Sequence, residues 1–134
     1  MIVLDSSFLI AFHNESDVHH SKAVPIMDRL LTGEWGSALL LEYVFLEVMT
    51  VLRMRLDLQS AVSVAEALLR AREIEFVPCS EVFTEAFETL RTERDSALSF
   101  VDAAITAVAR RNPPGLVATF DNDFSVLDGL TLVR

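Results

Sequence analysis

Cysteine, lysine and long apolar runs are nearly absent from this sequence. Cys79 is its only cysteine, so no internal disulfide can form, and one thiol cannot build a zinc site alone. This fits a reducing cytosol, and a lone thiol of this kind is expected to be a buried structural residue. Lys22 is the only lysine, and every other basic residue is an arginine. Against 11 basic residues stand 20 acidic ones, giving a net charge of −9 and a pI near 4.6. That balance argues against holding nucleic acid by bulk electrostatics. It does not exclude a nuclease, because divalent ions bound at an acidic site reverse the local sign. The most apolar stretch, Ser37 to Leu52, is broken by Glu42 and Glu47. It falls short of the roughly 18 uninterrupted apolar residues of a membrane span. Met1-Ile2-Val3-Leu4-Asp5 has no basic n-region, so no secretory leader is expected. A cytoplasmic protein without membrane contact is the expectation. No Gly-rich loop follows a strand, which removes the nucleotide folds that depend on one.

What the chain does have is apolar content and alternation. Its 134 residues are 51% hydrophobic, enough for a core, and the length suits one domain over residues 1–134. Ile2-Val3-Leu4 reads as a buried strand, followed by Asp5-Ser6-Ser7, where Ser6 or Ser7 can cap a helix carrying Phe8, Leu9 and Phe12. A second helix is expected from about Val18 to Leu31, ended by Gly33 and bent at Pro25. Trp35 to Leu39 reads as a strand, and about Leu41 to Arg55 as a helix apolar on most of its circumference, hence buried on several sides. The helix from about Leu58 to Arg72 carries Val62, Ala65 and Leu69 on one face. Ile74 to Val77 is a strand. Ser80 would then cap a helix to about Arg91 whose buried stripe is Val82, Phe83, Ala86, Phe87 and Leu90. A helix from Ser99 to Arg111 stops before Asn112-Pro113-Pro114-Gly115. Leu116-Val117-Ala118 and Leu130 to Val133 close the list of strands. Strands alternating with helices predict an α/β fold, a parallel sheet of about four to five short strands in a three-layer α/β/α arrangement. In such folds the functional crevice lies beyond the carboxyl ends of the strands.

Several acids fall at that end. Asp5 follows the first strand directly, Asp121 and Asp123 follow the strand 116–118, and Asp102 sits in the first turn of the helix before it. Glu47 lies mid-helix with Tyr43, Val44, Thr50 and Val51 as its neighbours at helical spacing. Carboxylates about 5 Å apart repel by roughly 3 kcal/mol per pair at an effective dielectric near 20. They must protonate, spread apart or bind a cation, and an oxygen-only donor set selects a hard ion such as Mg²⁺ or Mn²⁺. Each acid also has a plainer reading. Ser99-x-x-Asp102 is a capping box, Asp5 can cap a helix, Asp121 and Asp123 can be turn residues, and Glu47 can be a buried, paired acid. Glu42, in the first turn of its helix, suits the helix dipole. The arginine pairs Arg53/Arg55, Arg91/Arg94 and Arg110/Arg111 can meet RNA phosphates or simply cover helix surface. His13, His19 and His20 form no metal motif and read as solvated.

Four ordered segments resemble the PIN-domain ribonucleases, in particular the VapC-type toxins of toxin–antitoxin pairs. They are Ile2-Val3-Leu4-Asp5-Ser6-Ser7-Phe8-Leu9-Ile10, Glu42-Tyr43-Val44-Phe45-Leu46-Glu47-Val48, Leu98-Ser99-Phe100-Val101-Asp102-Ala103 and Ala118-Thr119-Phe120-Asp121-Asn122-Asp123-Phe124. The resemblance covers the whole chain. It implies that Asp5, Glu47, Asp102 and Asp121 are catalytic. Asp5, Asp102 and Asp121 would hold metal, and Glu47 would bind metal or orient the attacking water. Asp123, Thr119 and Ser6 would assist. It implies Mg²⁺- or Mn²⁺-dependent hydrolysis of RNA phosphodiesters to a 5′-phosphate and a 3′-hydroxyl, a homodimer, and an antitoxin partner that blocks the site. Many members read Asp-Thr-Asn after the first strand, where this chain reads Asp5-Ser6-Ser7. Phosphatases of the haloacid-dehalogenase type need a second Asp at the place of Ser7, and receiver domains need a late Lys; neither is present. The rival from another class is a catalytically inactive PIN-like scaffold that binds RNA or a protein partner.

Overall fold

A computed structural model describes all residues, 1–134. Five strands, β1 (Ile2–Leu4), β2 (Ala38–Leu41), β3 (Ile74–Val77), β4 (Leu116–Ala118) and β5 (Thr131–Val133), form one sheet in the order β3-β2-β1-β4-β5. Every pairing is parallel. Six helices connect them: α1 (Ser6–His13), α2 (His20–Leu31), α3 (Glu42–Arg55), α4 (Leu58–Arg70), α5 (Cys79–Thr92) and α6 (Phe100–Arg110). The α/β fold with a central parallel sheet is thus as expected. No helix is long and apolar enough to cross a membrane.

The strands are apolar because helices cover both faces of the sheet. Ile2, Leu4, Ala38, Leu40, Leu41, Val117 and Ala118 are fully buried, within a core cluster of 32 residues. Strand order reverses beside β1: β2 and β3 are added on one side, β4 and β5 on the other. Such a switch point opens a crevice at the carboxyl ends of the two strands that flank it. Here those ends are Leu4 of β1 and Ala118 of β4, which are register partners. Gly115 sets β4 in place. Its φ is +74°, and a Cβ there would run into the Gly129 carbonyl, so only glycine fits.

Several local expectations change. The second strand begins at Ala38, not Trp35, because Gly33 and Gly36 both adopt positive φ and keep the chain turning. The half-buried Trp35 lies under the Arg29 guanidinium, 4.6 Å from its ring centre. The second helix begins at His20 rather than Val18. Helix α3 is not buried on several sides: only Val44, Val48 and Leu52 are, while Leu46 and Met54 are 60% and 79% exposed. In α4 the buried residues are Ala61 and Leu68, and Val62 and Leu69 point outward. Pro78, not Ser80, precedes α5, whose buried residues are Val82 and Ala86; Phe83 and Phe87 are exposed. Cys79 is half-buried rather than buried. The histidines are not simply solvated: His13 Nε2 is sealed without a partner, the His20 ring bonds the Ala11 carbonyl, and His19 stacks on Phe120.

Candidate active site

Asp5 occupies the N-cap position of α1, yet its side chain makes no cap bond. It is only 4% exposed. Ser7 Oγ donates to its Oδ2 at 2.6 Å and Thr119 Oγ1 donates to the same oxygen at 2.7 Å. Each hydroxyl also accepts a backbone N–H, Ser7 from Phe120 and Thr119 from Asp121, both at 2.9 Å. A hydroxyl has one proton to give, so both spend it on Asp5. The carboxylate therefore ties the start of α1 to the segment after β4, and its other oxygen stays outside that network. In the Asp5-Ser6-Ser7 segment it is Ser7 that makes the bonds to Asp5 and to the Phe120 amide.

Three of the four leading acids interact electrostatically. Burial raises the Asp5 carboxyl above its ordinary range; the Ser7 and Thr119 bonds oppose that, and the charge of Asp121 adds to it. Asp102 is raised too, chiefly by burial, with Asp5 and Asp121 contributing repulsion. The capping box is also real: Ser99 N donates to Asp102 Oδ2 at 2.9 Å, and Asp102 N donates to Ser99 Oγ at 3.1 Å. Asp102 is thus both a cap and a member of the acidic group. The capping bond that its carboxylate accepts falls on Oδ2. Asp121, half-buried, caps a 3₁₀ turn (Asn122–Val126) by accepting from Asp123 N at 2.8 Å. The Asp123 side chain is exposed, and its link to the group runs through its own amide.

Glu47, from α3, lines a crevice together with Asp121; Asp5 and Asp102 do not line it. Glu47 is exposed, not a buried paired acid, and Ser6 Oγ donates to its Oε1 at 2.7 Å. Glu42 faces elsewhere and accepts from Cys79 N at 3.1 Å. The crevice, a cavity of about 390 Å³, is lined by Ser6, Ser7, Glu47, Asp121, Phe120 and Arg55, among others. Of the three arginine pairs, only one member opens onto it. Arg91, Arg110 and Arg111 are held by Glu88, Glu93 and Glu85 respectively. Asp17 and His19 also line the crevice and were missed by sequence reasoning. They come from an irregular loop, where no periodicity marks them.

The donor set is oxygen only, which suits a hard divalent cation. Burial and mutual repulsion already penalise the anionic forms of Asp5 and Asp102, a penalty a cation would offset. In this conformation no three acids converge closely enough to ligate one ion directly. Mg²⁺ commonly keeps several waters and takes one or two protein carboxylates, so the residues fit that ion.

The chain belongs to the PIN domain family, whose model matches residues 2–130. Among solved structures, it is similar to Mycobacterium tuberculosis VapC20, a sarcin–ricin-loop-cleaving toxin, with 28% identity and a TM-score of 0.81 over 100% of this chain and 99% of that one. It also shares its fold with a chain of Rickettsia felis VapBC2 bound to promoter DNA, with 17% identity and a TM-score of 0.72 over 99% and 98% of the two chains. No curated protein sequence matches it.

Proposed function

We propose that this chain is a ribonuclease of the VapC toxin type that hydrolyses RNA phosphodiesters with a divalent metal. The observation that carries this reading is Asp5: a buried carboxylate at a helix start that does not cap the helix. Instead it is held by Ser7 and Thr119, next to Asp102 and Asp121. Membership of the PIN family and the likeness to VapC20 support it. The presence of acids at all four positions argues against the inactive scaffold.

In this reading Asp5, Asp102 and Asp121 would together hold Mg²⁺ or Mn²⁺, in part through the ion's own waters, and the ion would supply positive charge for the phosphoryl oxygens and lower the pKa of water. Ser7 and Thr119 fix the Asp5 carboxylate, and Asp123 fixes Asp121 through its amide. Glu47, with Oε1 engaged by Ser6, uses Oε2 to orient the attacking water and take its proton. The water oxygen bonds to phosphorus as the bond to the 3′-oxygen breaks. Solvent protonates that oxygen, leaving a 3′-hydroxyl and a 5′-phosphate. Arg55 offers a guanidinium to a substrate phosphate.

The partners follow from the same class. Exposed Leu46, Met54, Val62, Leu69, Phe83 and Phe87 give apolar surface of the kind that partners cover, which supports an antitoxin and a second copy of the chain as occupants. RNA as substrate and the single free thiol support a cytoplasmic location. The test is cleavage of total cellular RNA by wild type, Asp5→Asn and Asp102→Ala. We expect Mg²⁺-dependent cleavage that both variants abolish while keeping the fold by circular dichroism. Unchanged cleavage in either variant, or full wild-type activity in chelator, sinks the assignment.

A further inference from the structure

Four of the eleven basic residues are held in ion pairs, and of the unpaired ones two share a cleft beside the acidic crevice. Arg29, Arg91, Arg110 and Arg111 each pair with a glutamate. Lys22 and Arg134 enter no ion pair, and they line the same cleft. That cleft, about 280 Å³, is close to the roughly 300 Å³ lower limit of small-molecule sites, room for about one nucleotide unit. His19 and Phe120 line it as well, and the same two residues line the acidic crevice. They are the wall the two cavities share.

That wall is a stack of rings. Phe8, fully buried, lies against Phe120 with ring centres 6.5 Å apart. His19 lies flat on Phe120, 4.6 Å between centres and only 8° from parallel. His19 is the N-cap residue of α2, but its side chain makes no cap bond. Its ring is given to the stack. Lys22 follows in the first turn of α2, where the helix dipole disfavours a cation and no acid is present to offset it. Neither placement serves the helix. Both suit a single strand of nucleic acid, which is bound by aromatic platforms under its bases and cations along its phosphates.

We propose that the cleft of Lys22 and Arg134 is a subsite for a nucleotide flanking the cleaved bond. A single-stranded RNA crosses the His19–Phe120 wall, stacks a base on the His19 ring, and places the neighbouring phosphate between Lys22 and Arg134. Arg134 is positioned for this by donating to Asn122 Oδ1 at 2.8 Å. The proposal rests on the ribonuclease reading of the adjacent crevice. It also accounts for how so acidic a chain holds RNA: two unpaired cations are concentrated beside the site.

The test is equilibrium binding of a short, single-stranded, fluorescein-labelled oligoribonucleotide in Ca²⁺, over a series of salt concentrations, with cleavage in Mg²⁺ followed in parallel. Lys22→Gln and Arg134→Gln should each weaken binding and flatten the slope of log affinity against log salt by about 0.7. His19→Ala should weaken binding about ten-fold without changing that slope, and His19→Phe should bind as wild type, because stacking on a ring is what is lost. Arg91→Gln, whose guanidinium is held by Glu88, should change nothing. Unchanged salt slopes in both Lys22→Gln and Arg134→Gln overturn the proposal, as does His19→Phe binding as weakly as His19→Ala. If these variants bind RNA like wild type while wild type cleaves it, the subsite fails and the nuclease stands. If they lose binding as described but wild type does not cleave, the subsite stands and the nuclease reading fails.

Discussion

Two aspartates open helices in this chain, and they behave in opposite ways. Asp57, before α4, accepts from Ser60 N at 2.6 Å, and that bond holds its carboxyl below the ordinary range. Asp5, before α1, has the same extended backbone and no cap bond, and burial lifts its carboxyl above that range. One acid stabilises its helix. The other is kept desolvated and beside other acids, at a cost that the fold bears elsewhere. The difference lies in what surrounds them: Asp57 is on the surface, while Asp5 ends a central strand at the switch point of the sheet. Buried acids whose pKa is raised by desolvation and neighbouring charge cluster at functional sites.

The largest effect should come from Asp5→Asn, with RNA cleavage falling by at least about a hundred-fold, a loss typical of removing one preorganised electrostatic partner. The same variant should be more stable than wild type in chelator. Because the folded chain keeps the Asp5 proton above the ordinary value of 3.8, the metal-free protein loses stability as pH climbs from there, and the amide removes that loss. Thermal melts against pH, with and without Mg²⁺, check both points; a less stable Asp5→Asn in chelator breaks the contrast with Asp57.

Ser7→Ala and Thr119→Val come next. Each removes one of the two donors on Asp5 Oδ2 and should lower Mg²⁺ affinity or activity by roughly 10- to 100-fold, as loss of a group that orients a ligand does. A Mg²⁺ titration of cleavage rate reads this out. Equal activity in both variants would show that Asp5 needs no tether.

A buried group outside the acidic site sharpens the contrast further. Burial pushes the His13 imidazole down from 6.5 to about 4, and its Nε2 has no partner. With a depressed folded value, stability is complete above the unfolded value and is lost as pH falls from about 6.5 toward 4. The loss is at most about 3 kcal/mol, at roughly 1.4 kcal/mol per pKa unit. His13→Phe should flatten this part of the stability profile and leave cleavage intact; an unchanged acid profile refutes it.

The smallest effect belongs to Asp57→Ala. Losing a surface cap should lower Tm by about a few degrees and leave cleavage unchanged. A loss of activity there would mean that helix starts in this fold are coupled more widely than their contacts indicate.

Much of this layout was legible in the chain itself. Strand runs such as Ile2-Val3-Leu4 and Ile74 to Val77 were visible because a strand covered on both faces is continuously apolar. Asp5 and Asp121 could be placed at one end of the sheet because Asp5 follows β1 directly and Asp121 comes within three residues of the end of β4. The Ser99–Asp102 capping box could be read because its partners are local. Expectations failed where burial depends on a distant neighbour. Val62, Leu69, Phe83 and Phe87 look like core stripes at helical spacing but are exposed. Periodicity shows that a face is apolar, not what covers it. Trp35 failed as a strand residue because two glycines keep the chain turning before Ala38.

The sequence by itself determined the alternation of strands and helices and the supply of acids at the carboxyl ends, since both follow from local order along the chain. Only the tertiary structure decided that Asp5 bonds Ser7 and Thr119 instead of capping α1. It alone brought Glu47 to Ser6, separated Arg55 from the paired arginines, and stacked His19 on Phe120. The physical reason is sequence distance: Thr119 lies 114 residues from Asp5, and Glu47 lies 41 from Ser6. Contacts of that separation exist only once the parallel sheet has brought its strand ends together.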